Sequence, residues 1–391
     1  MITPVYYQVG NEVYYNSILA KFTSYSSKQQ LSFYCNDAEY DKLDWNQDLP
    51  ESIDQLMDSY ARKIRQTYNY VVLLYSGGTD SRTIYDVFVR NNLHIDEIVV
   101  WADDQFEPYF SSLAYTDLLA KHQDPTTLIR CKNRFDIDEF KSNIKNENWI
   151  LENKSMIVKS GANMYDSIVR DCKDKCKGTW CVLNGHEQPN VYIKDNYFYS
   201  CFPAIRFHST MGFENVIPFF IEPTLAHKQA HLIKNIYTKL MSVNKYSTAD
   251  SERYYQYYGV GVLDGRPIHF RYAGPMAYTA WQRAIGRTGD LYYGYSSSQK
   301  KEESKFDSYQ NINLQTVDSK SLAADVDLGL AALLSKNDDT AQLFQRGIRN
   351  ILLEQDFCNE VLENSLTPNI LGKRGGKPVY SKSYCLGKVV L

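Results

Sequence analysis

The feature that most constrains the fold is a continuous apolar run at positions 70–75, which has a helical pattern on each side. A run this short and partly β-branched is typical of a strand that is buried on both faces of a parallel sheet. The preceding helix pattern opens at Pro50-Glu51, and apolar residues then recur at helical spacing from Ile53 to Ile64. A glycine-containing loop and a second helix pattern at 82–91 follow the run. The segment therefore predicts the strand, loop and helix of an α/β fold.

The alternation of strand and helix patterns continues along the chain. Further strands are predicted at 95–104, 126–131 and 179–184, and further helices at 109–121, 135–144, 163–173 and 223–240. Such regular alternation predicts a doubly wound α/β domain with a parallel sheet and helices on both faces. In sheets of this kind, ligands bind beyond the carboxyl ends of the strands.

The sequence predicts three regions. The first 49 residues have two aromatic runs around Gly10-Asn11, which is a hairpin signal, and another strand pattern at 31–37, so a small β-rich cap is expected. The α/β domain is placed at 50–240. The remaining part, 241–391, is expected to be mainly helical because of patterns at 321–335 and 338–364, with an exposed polar loop at 293–311.

Composition limits the classes of partner. The chain of 391 residues has a net charge of −3, so no global basic field attracts nucleic acid, and a nucleic-acid partner is not expected. The basic residues near the C-terminus leave two alternatives, a solvated tail or a local patch; they are Lys373, Arg374, Lys377, Lys382 and Lys388. The start of the chain does not resemble a signal peptide, and no apolar stretch approaches 18 residues. Eight cysteines without scaffold spacing fit reduced thiols, so a cytoplasmic protein is expected.

The loop after the first strand has the residues of an anion site; its sequence is Ser76-Gly77-Gly78-Thr79-Asp80-Ser81. Two consecutive glycines let backbone N–H groups approach an anion closely, and the following helix adds its positive end. The serines supply hydroxyl donors. Asp80 is expected to hold Mg²⁺ or to orient the loop, because a carboxylate does not itself favour a phosphate. Arg82 is the nearest cation.

The spacing of this loop excludes two common nucleotide motifs. A Walker A loop needs a lysine directly after its second glycine, and here no lysine follows the glycines. The Gly-x-Gly-x-x-Gly pattern of dinucleotide-binding folds is also absent from the loop.

The strand and the loop together resemble the N-type ATP pyrophosphatase, or PP-loop, superfamily, whose pattern is Ser-Gly-Gly-x-Asp-Ser. The resemblance covers residues 50–240 and implies an adenine nucleotide alpha hydrolase-like, HUP-type sheet. Members of this superfamily bind ATP with Mg²⁺, adenylate a substrate oxygen and release pyrophosphate, after which a nucleophile displaces AMP. The resemblance implies that ATP is held by residues Ser76 to Arg82, with Asp80 as a magnesium ligand and a catalytic residue.

Two segments resemble the asparagine synthetase branch of this superfamily. Asn184-Gly185-His186-Glu187 follows a predicted strand and is similar to a Ser-Gly-x-Gly-x-Asp-Glu segment, while Val216 to Phe220 is similar to a Val-Pro-Phe-Leu segment that precedes a helix there. The helix, strand and loop also resemble PP-loop proteins of large tailed bacteriophages, which would place the protein in a host cytoplasm. Residue 2 is Ile2 rather than the catalytic cysteine of a glutaminase, so ammonia or an amine would come from outside the chain.

The sequence therefore predicts an AMP-forming enzyme, in the first place an amide-forming ligase with a small-molecule acceptor. The alternatives are a nucleobase- or tRNA-modifying PP-loop enzyme and a nucleotide-binding module without turnover. Glu187 is a candidate catalytic residue, for magnesium binding or acid–base chemistry, because its loop follows the carboxyl end of a strand. Asp103 and Asp104 end another strand at the same rim.

Two further groups of residues are candidates for binding phosphate or metal. Departing pyrophosphate needs cations, and the C-terminal half offers several candidates: Arg271, Arg283, Arg287, Lys373 and Lys377. Cys172, Cys176 and Cys181 leave two alternatives, a zinc site completed by Cys201 or His186, or separate thiols. His208, His227 and His231 are expected to be structural or surface residues rather than ligands.

Overall fold

The computed structural model describes residues 5–76, 79–102, 115–116, 118–133, 160–185, 189–194, 196–202, 204–207, 210–213, 215–242, 268–270 and 380–389. The strands, in chain order, are β1 (Tyr6–Val9), β2 (Glu12–Tyr14), β3 (Leu31–Tyr34), β4 (Tyr70–Tyr75), β5 (Glu97–Ala102), β6 (Leu128–Asn133), β7 (Trp180–Asn184), β8 (Asn190–Lys194), β9 (Tyr197–Cys201), β10 (Val216–Pro218), β11 (Ile268–Phe270) and β12 (Tyr384–Lys388). The α-helices are α1 (Ser17–Ser27), α2 (Asp37–Tyr40), α3 (Ile53–Thr67), α4 (Thr79–Arg90), α5 (Ser160–Lys175) and α6 (Pro223–Ser242).

The central sheet contains five parallel strands within the described residues, in the order β10-β7-β4-β5-β6. The chain builds outward from β4 through β5 to β6, and then continues on the other side of β4 with β7 and β10. The direction of winding therefore reverses between β4 and β7, which makes the gap beyond their carboxyl ends the topological switch point. This arrangement confirms the predicted α/β class and the parallel sheet.

The central strand β4 explains why the apolar run is continuous. Val71, Leu73 and Tyr75 pack into a core together with residues of α3, α4 and α6. Val72 and Leu74 pack on the opposite side, in a core that includes residues of α5. Because successive side chains of a strand point to opposite faces, a strand covered on both faces needs an apolar residue at every position.

Helix α3 begins where a capping box satisfies its first turn. The hydroxyl of Ser52 accepts from the backbone N–H of Gln55 at 3.2 Å, and the side chain of Gln55 accepts from the N–H of Ser52 at 2.8 Å. The buried face of this helix, which includes Met57, Tyr60 and Ile64, packs against the central sheet core. The helix predicted from Pro50 is thus present, with its first helical residue at Ile53.

The N-terminal cap is a small antiparallel sheet of order β2-β1-β3 in the described residues. The predicted hairpin is confirmed, since β1 pairs with β2 and Gly10 in the turn has a φ of +58°. This left-handed backbone favours glycine, which explains the hairpin signal. Helix α1 is also part of the cap and was not predicted from the sequence.

A second antiparallel sheet, of order β11-β8-β9-β12, was not predicted. Its central hairpin, β8–β9, follows β7 directly and turns at Asn196, whose φ of 62° is left-handed. The two outer strands come from the region expected to be mainly helical, so that expectation is incomplete. The helix patterns at 321–335 and 338–364 and the polar loop at 293–311 lie outside the described residues.

Side chains in and just before strand β12 bind it to the N-terminal cap. The hydroxyl of Tyr384 donates to the carboxylate of Asp37 at 2.7 Å, and its ring stacks on Trp45 with a centroid separation of 4.6 Å. Lys382 forms an ion pair with Asp41 at 2.6 Å. Part of the basic C-terminal segment is therefore joined to the body of the protein and is not a free tail.

Helix α6 binds the last part of the cap, residues 44–48, through buried polar side chains. Nε2 of His227 donates to the carbonyl oxygen of Asp44 at 3.1 Å, and Nε2 of His231 donates to that of Trp45 at 3.0 Å. Between them on the helix, Lys228 forms an ion pair with Asp48 at 3.0 Å. Both histidines are buried, as expected of structural residues.

Because the two histidines are buried, we predict that the folded protein loses stability in acid. Burial, followed by the neighbouring His227, lowers the pKa of His231 to about 4, and burial also lowers the pKa of His227. Because the unfolded chain takes up these protons at a higher pH than the folded protein, stability is lost as the pH falls from about 6.5 towards 4. His231 alone would account for a loss on the order of 3 kcal/mol in the free energy of unfolding.

Urea unfolding at several pH values between 7.5 and 4.5 measures this loss. The matched variant His231→Gln keeps a donor for the carbonyl of Trp45 but cannot titrate, so its stability should depend less on pH. An equal dependence in the variant and the parent would show that His231 does not contribute.

Candidate functional site

The candidate site lies where β4 ends and α4 begins. Only three residues separate the two elements, so the N-terminal end of α4 lies next to the carboxyl end of the strand. The helix begins at Thr79, three residues before the predicted start at position 82. Its first turn has N–H groups without intrahelical acceptors and carries the positive end of the helix dipole, which together favour an anion.

Hydrogen bonds of Ser81 join the two ends of the loop. The backbone N–H of Ser76 donates to Oγ of Ser81 at 3.2 Å, and the two hydroxyl oxygens are also 3.2 Å apart. Ser81 is buried, with 4% of its surface exposed, whereas Ser76 is half-buried. The Ser81 hydroxyl thus has a structural role in closing the loop, in addition to any contact with a ligand.

The charged residues of the first turn are Asp80 and Arg82. Asp80 is half-buried in the first turn, where a carboxylate interacts favourably with the helix dipole. Arg82 forms an i,i+4 pair with Asp86 on the same helix, at 3.9 Å. Asp80 therefore places a negative charge at this turn, and a polyphosphate bound beside it would need positive charge to offset the repulsion.

The end of β7 meets this first turn directly across the switch point. A Cβ atom added to Gly185 would lie 2.8 Å from Cβ of Asp80 and 2.9 Å from the backbone N of Ser81. The preceding residue, Asn184, donates from its side-chain amide to the hydroxyl of Tyr165 at 3.0 Å, and both residues are 1% exposed. Helix α5, strand β7 and helix α4 therefore converge at the loop.

Of these convergent residues, Asn184 and Gly185 belong to the segment that resembles asparagine synthetases. Tyr165 was not identified, because an aromatic residue within a helix pattern signals only packing. Its position becomes meaningful only when α5 is placed against β7.

Several predicted site residues lie outside the described residues or have only a described backbone. The backbone of Thr79 is described, but its side chain is not. The candidates outside the described residues are Gly77, Gly78, Asp103, Asp104, His186, Glu187, Arg271, Arg283, Arg287, Lys373 and Lys377. His208, which is expected to be a structural or surface residue, also lies outside them. The roles proposed for them remain predictions.

The three clustered cysteines lie on two faces of the sheet. Cys172 packs with Trp180 and Val182 on the α5 side. Cys181 points to the opposite face, where it packs with Leu183. Burial raises the pKa of Cys172 to about 12 and also raises that of Cys181, so both remain protonated thiols. A single tetrahedral zinc site needs thiolates that converge, and this placement argues for separate thiols.

A second polar cluster lies on the α5 face, around the edge strand β6. Arg130 pairs with the buried Glu97 and, at 2.7 Å, with Asp171 of α5. Glu97 also accepts from the hydroxyl of Tyr70 at 2.9 Å. Since Tyr70 and Glu97 are the first residues of their strands, these contacts lie away from the carboxyl ends and join β4, β5, β6 and α5.

Comparisons with known proteins give no similarity from which a family could be assigned: the chain matches no family model, no curated protein and no solved structure. Among the described residues, no helix has the length and apolar character needed to cross a bilayer.

The loop closure by Ser81 can be tested by stability. Replacement of Ser81 by Ala removes the acceptor for the N–H of Ser76, and we expect it to lower the free energy of unfolding by about 1 kcal/mol. The matched variant Ser76→Ala keeps that N–H and should cost less. Urea unfolding of both variants gives the comparison, and a Ser76→Ala protein that is the less stable of the two would contradict the assignment.

Proposed function

We propose that the protein is an ATP-dependent, AMP-forming enzyme whose phosphate site is the 76–81 loop. The observation that supports this most is the convergence of the loop, the first turn of α4 and Gly185 at the switch point of a parallel sheet. Crevices at this position are where open α/β sheets bind ligands. The helix start and the glycines of the sequence favour an anionic ligand there.

The charges near the loop favour a nucleotide that arrives with a divalent cation. Asp80 is an oxygen ligand of the type that Mg²⁺ prefers, and it is half-buried at the start of α4. Without a cation, its carboxylate would repel a triphosphate. Bound Mg²⁺ would neutralise charge between the carboxylate and the phosphates, and Asp80 would hold it in place.

The loop suits departure of pyrophosphate rather than transfer of the terminal phosphoryl group. Backbone N–H groups from Gly77 to Ser81 would bind the β- and γ-phosphates and stabilise the charge that grows as the α–β bond breaks. A substrate oxygen attacks the α-phosphorus, pyrophosphate leaves, and the substrate is adenylated. A nitrogen nucleophile then attacks the activated carbon. An amide bond forms and AMP leaves.

An amide-forming ligase with a small-molecule acceptor remains the preferred class. It is supported by the residues at the end of β7, where Asn184 and Gly185 contact the elements around the loop. External ammonia or an amine would be the donor. The ion pair of Lys382 with Asp41 removes one charge from the basic segment that would have favoured a nucleic-acid substrate.

Product analysis tests the proposal. With radiolabelled ATP, Mg²⁺ and a pool of carboxylate metabolites with ammonia, we expect AMP and pyrophosphate in equal amounts, without ADP. The variant Asp80→Asn should lower AMP formation by at least about tenfold, because it weakens the magnesium ligand. The variant Asp174→Asn changes an exposed acid near the far end of α5 and should keep full activity.

Two outcomes would contradict the proposal. ADP and phosphate as the main products would indicate transfer of the terminal phosphoryl group. Tight binding of ATP without any cleavage, across the acceptor pool, would favour the nucleotide-binding module instead.

A further inference from the structure

We propose that Gly185 is a positioning residue, which sets the first turn of α4 in the geometry that binds the phosphates. The proposal rests on the function proposed above and adds a residue that acts through its neighbours rather than by touching the nucleotide. No positive φ is involved, so the requirement at this position is for space. Its absent side chain lets the end of β7 lie against Asp80 and Ser81.

The contact leaves no room for even one carbon atom. A Cβ on Gly185 would lie 2.8 Å from Cβ of Asp80, 2.9 Å from its carbonyl carbon and 2.9 Å from the N of Ser81. Two of these three atoms belong to the backbone, which cannot rotate away as a flexible side chain can. An alanine here would therefore push the end of β7 and the start of α4 apart.

The end of β7 is held in place more firmly than the first turn of α4. β7 is paired with β4 on one side and with β10 on the other, so it is held within the sheet. Its last residue, Asn184, is fixed by the hydrogen bond to the buried hydroxyl of Tyr165. The strain from an added Cβ would consequently fall mainly on the first turn of α4.

Displacement of that turn would move the described groups that are proposed to bind the metal ion and the phosphates. Asp80 would move with its backbone, and the N–H of Ser81 would change direction. The loop would move as well, because the hydroxyl of Ser81 is bonded to the N–H of Ser76. A misplacement of about 1 Å in such a site can cost about a hundredfold in rate.

The chain offers a matched control at the other end of the same strand. Gly178 precedes β7, and a Cβ there would lie 2.9 Å from Oδ1 of Asn69, a side-chain atom. Gly178→Ala therefore introduces a similarly short contact, but far from the loop. It controls for the general effect of adding a methyl group next to β7.

Two measurements on the full-length protein test the proposal. Without ligand, amide hydrogen exchange at residues 83–86, whose N–H groups donate to the carbonyl groups of the first turn of α4, should be about tenfold faster in Gly185→Ala than in the parent, and unchanged in Gly178→Ala. Calorimetry with Mg·ATP should show a dissociation constant at least about tenfold higher for Gly185→Ala only. Melting temperatures would confirm that both variants are folded.

The results of these measurements distinguish a failure of the positioning role of Gly185 from a failure of the proposed enzymatic function. If the parent binds Mg·ATP and Gly185→Ala binds it equally well, the positioning role is wrong and the proposed function stands. If the parent does not bind Mg·ATP, the proposed function fails, and the exchange rates at 83–86 still decide whether Gly185 positions the turn. Unchanged exchange at these residues would overturn the proposal.

A milder variant covers the case in which Gly185→Ala does not fold. Tyr165→Phe removes the hydroxyl that holds Asn184 and leaves the ring in the core. It should raise the exchange rate at 184–185 and 83–86 by about threefold and weaken Mg·ATP binding in the same proportion. In that case, exchange equal to that of the parent at 83–86 would overturn the proposal.

Discussion

The close contact between the end of β7 and the first turn of α4 is the constraint on which the candidate site depends. Two strands on either side of the winding reversal bring their carboxyl ends together, and Gly185 allows the second to touch the helix that follows the first. The 76–81 loop is therefore supported by a different part of the chain from the one that forms it. A local motif alone would not fix the direction of its N–H groups.

The same principle of support from distant segments applies to the outer parts of the fold. The cap contacts α6 through the two histidines and Lys228, and it contacts the C-terminal strand through Tyr384 and Lys382. The antiparallel sheet in turn joins β12 to the hairpin that follows β7. Segments far apart in sequence thus stabilise the surroundings of the α/β core.

The parallel sheet was predictable because burial on both faces leaves a plain sequence signal. Four of its strands lie within or beside the predicted ranges, and β4 coincides with the apolar run at 70–75. The short β10 was missed, since Val216 to Pro218 has too few residues to show a period. The hairpin β8–β9 was missed because neither of its strands shows a regular alternation of polar and apolar residues, and its partners β11 and β12 are distant in the chain.

The candidate site was predictable only in part. Glycines and hydroxyls next to a buried strand identified the loop, because anion binding depends on local backbone geometry. The hydrogen bond between Ser76 and Ser81 lies within the motif and depends on the conformation of the loop. The support by Gly185 and the hydrogen bond from Asn184 to Tyr165 depend on how separate elements pack. Such contacts have no local period or spacing, and they follow only from the tertiary fold.

The central claim is that the phosphates of a nucleotide bind at the switch point between β4 and β7. A crystal structure with Mg²⁺ and an ATP analogue that resists cleavage at the α–β bond tests it most directly. We predict density for the β- and γ-phosphates against the backbone N–H groups of residues 77–81, with the metal ion next to the carboxylate of Asp80. Phosphates bound at any other place, with the loop unoccupied, would contradict it.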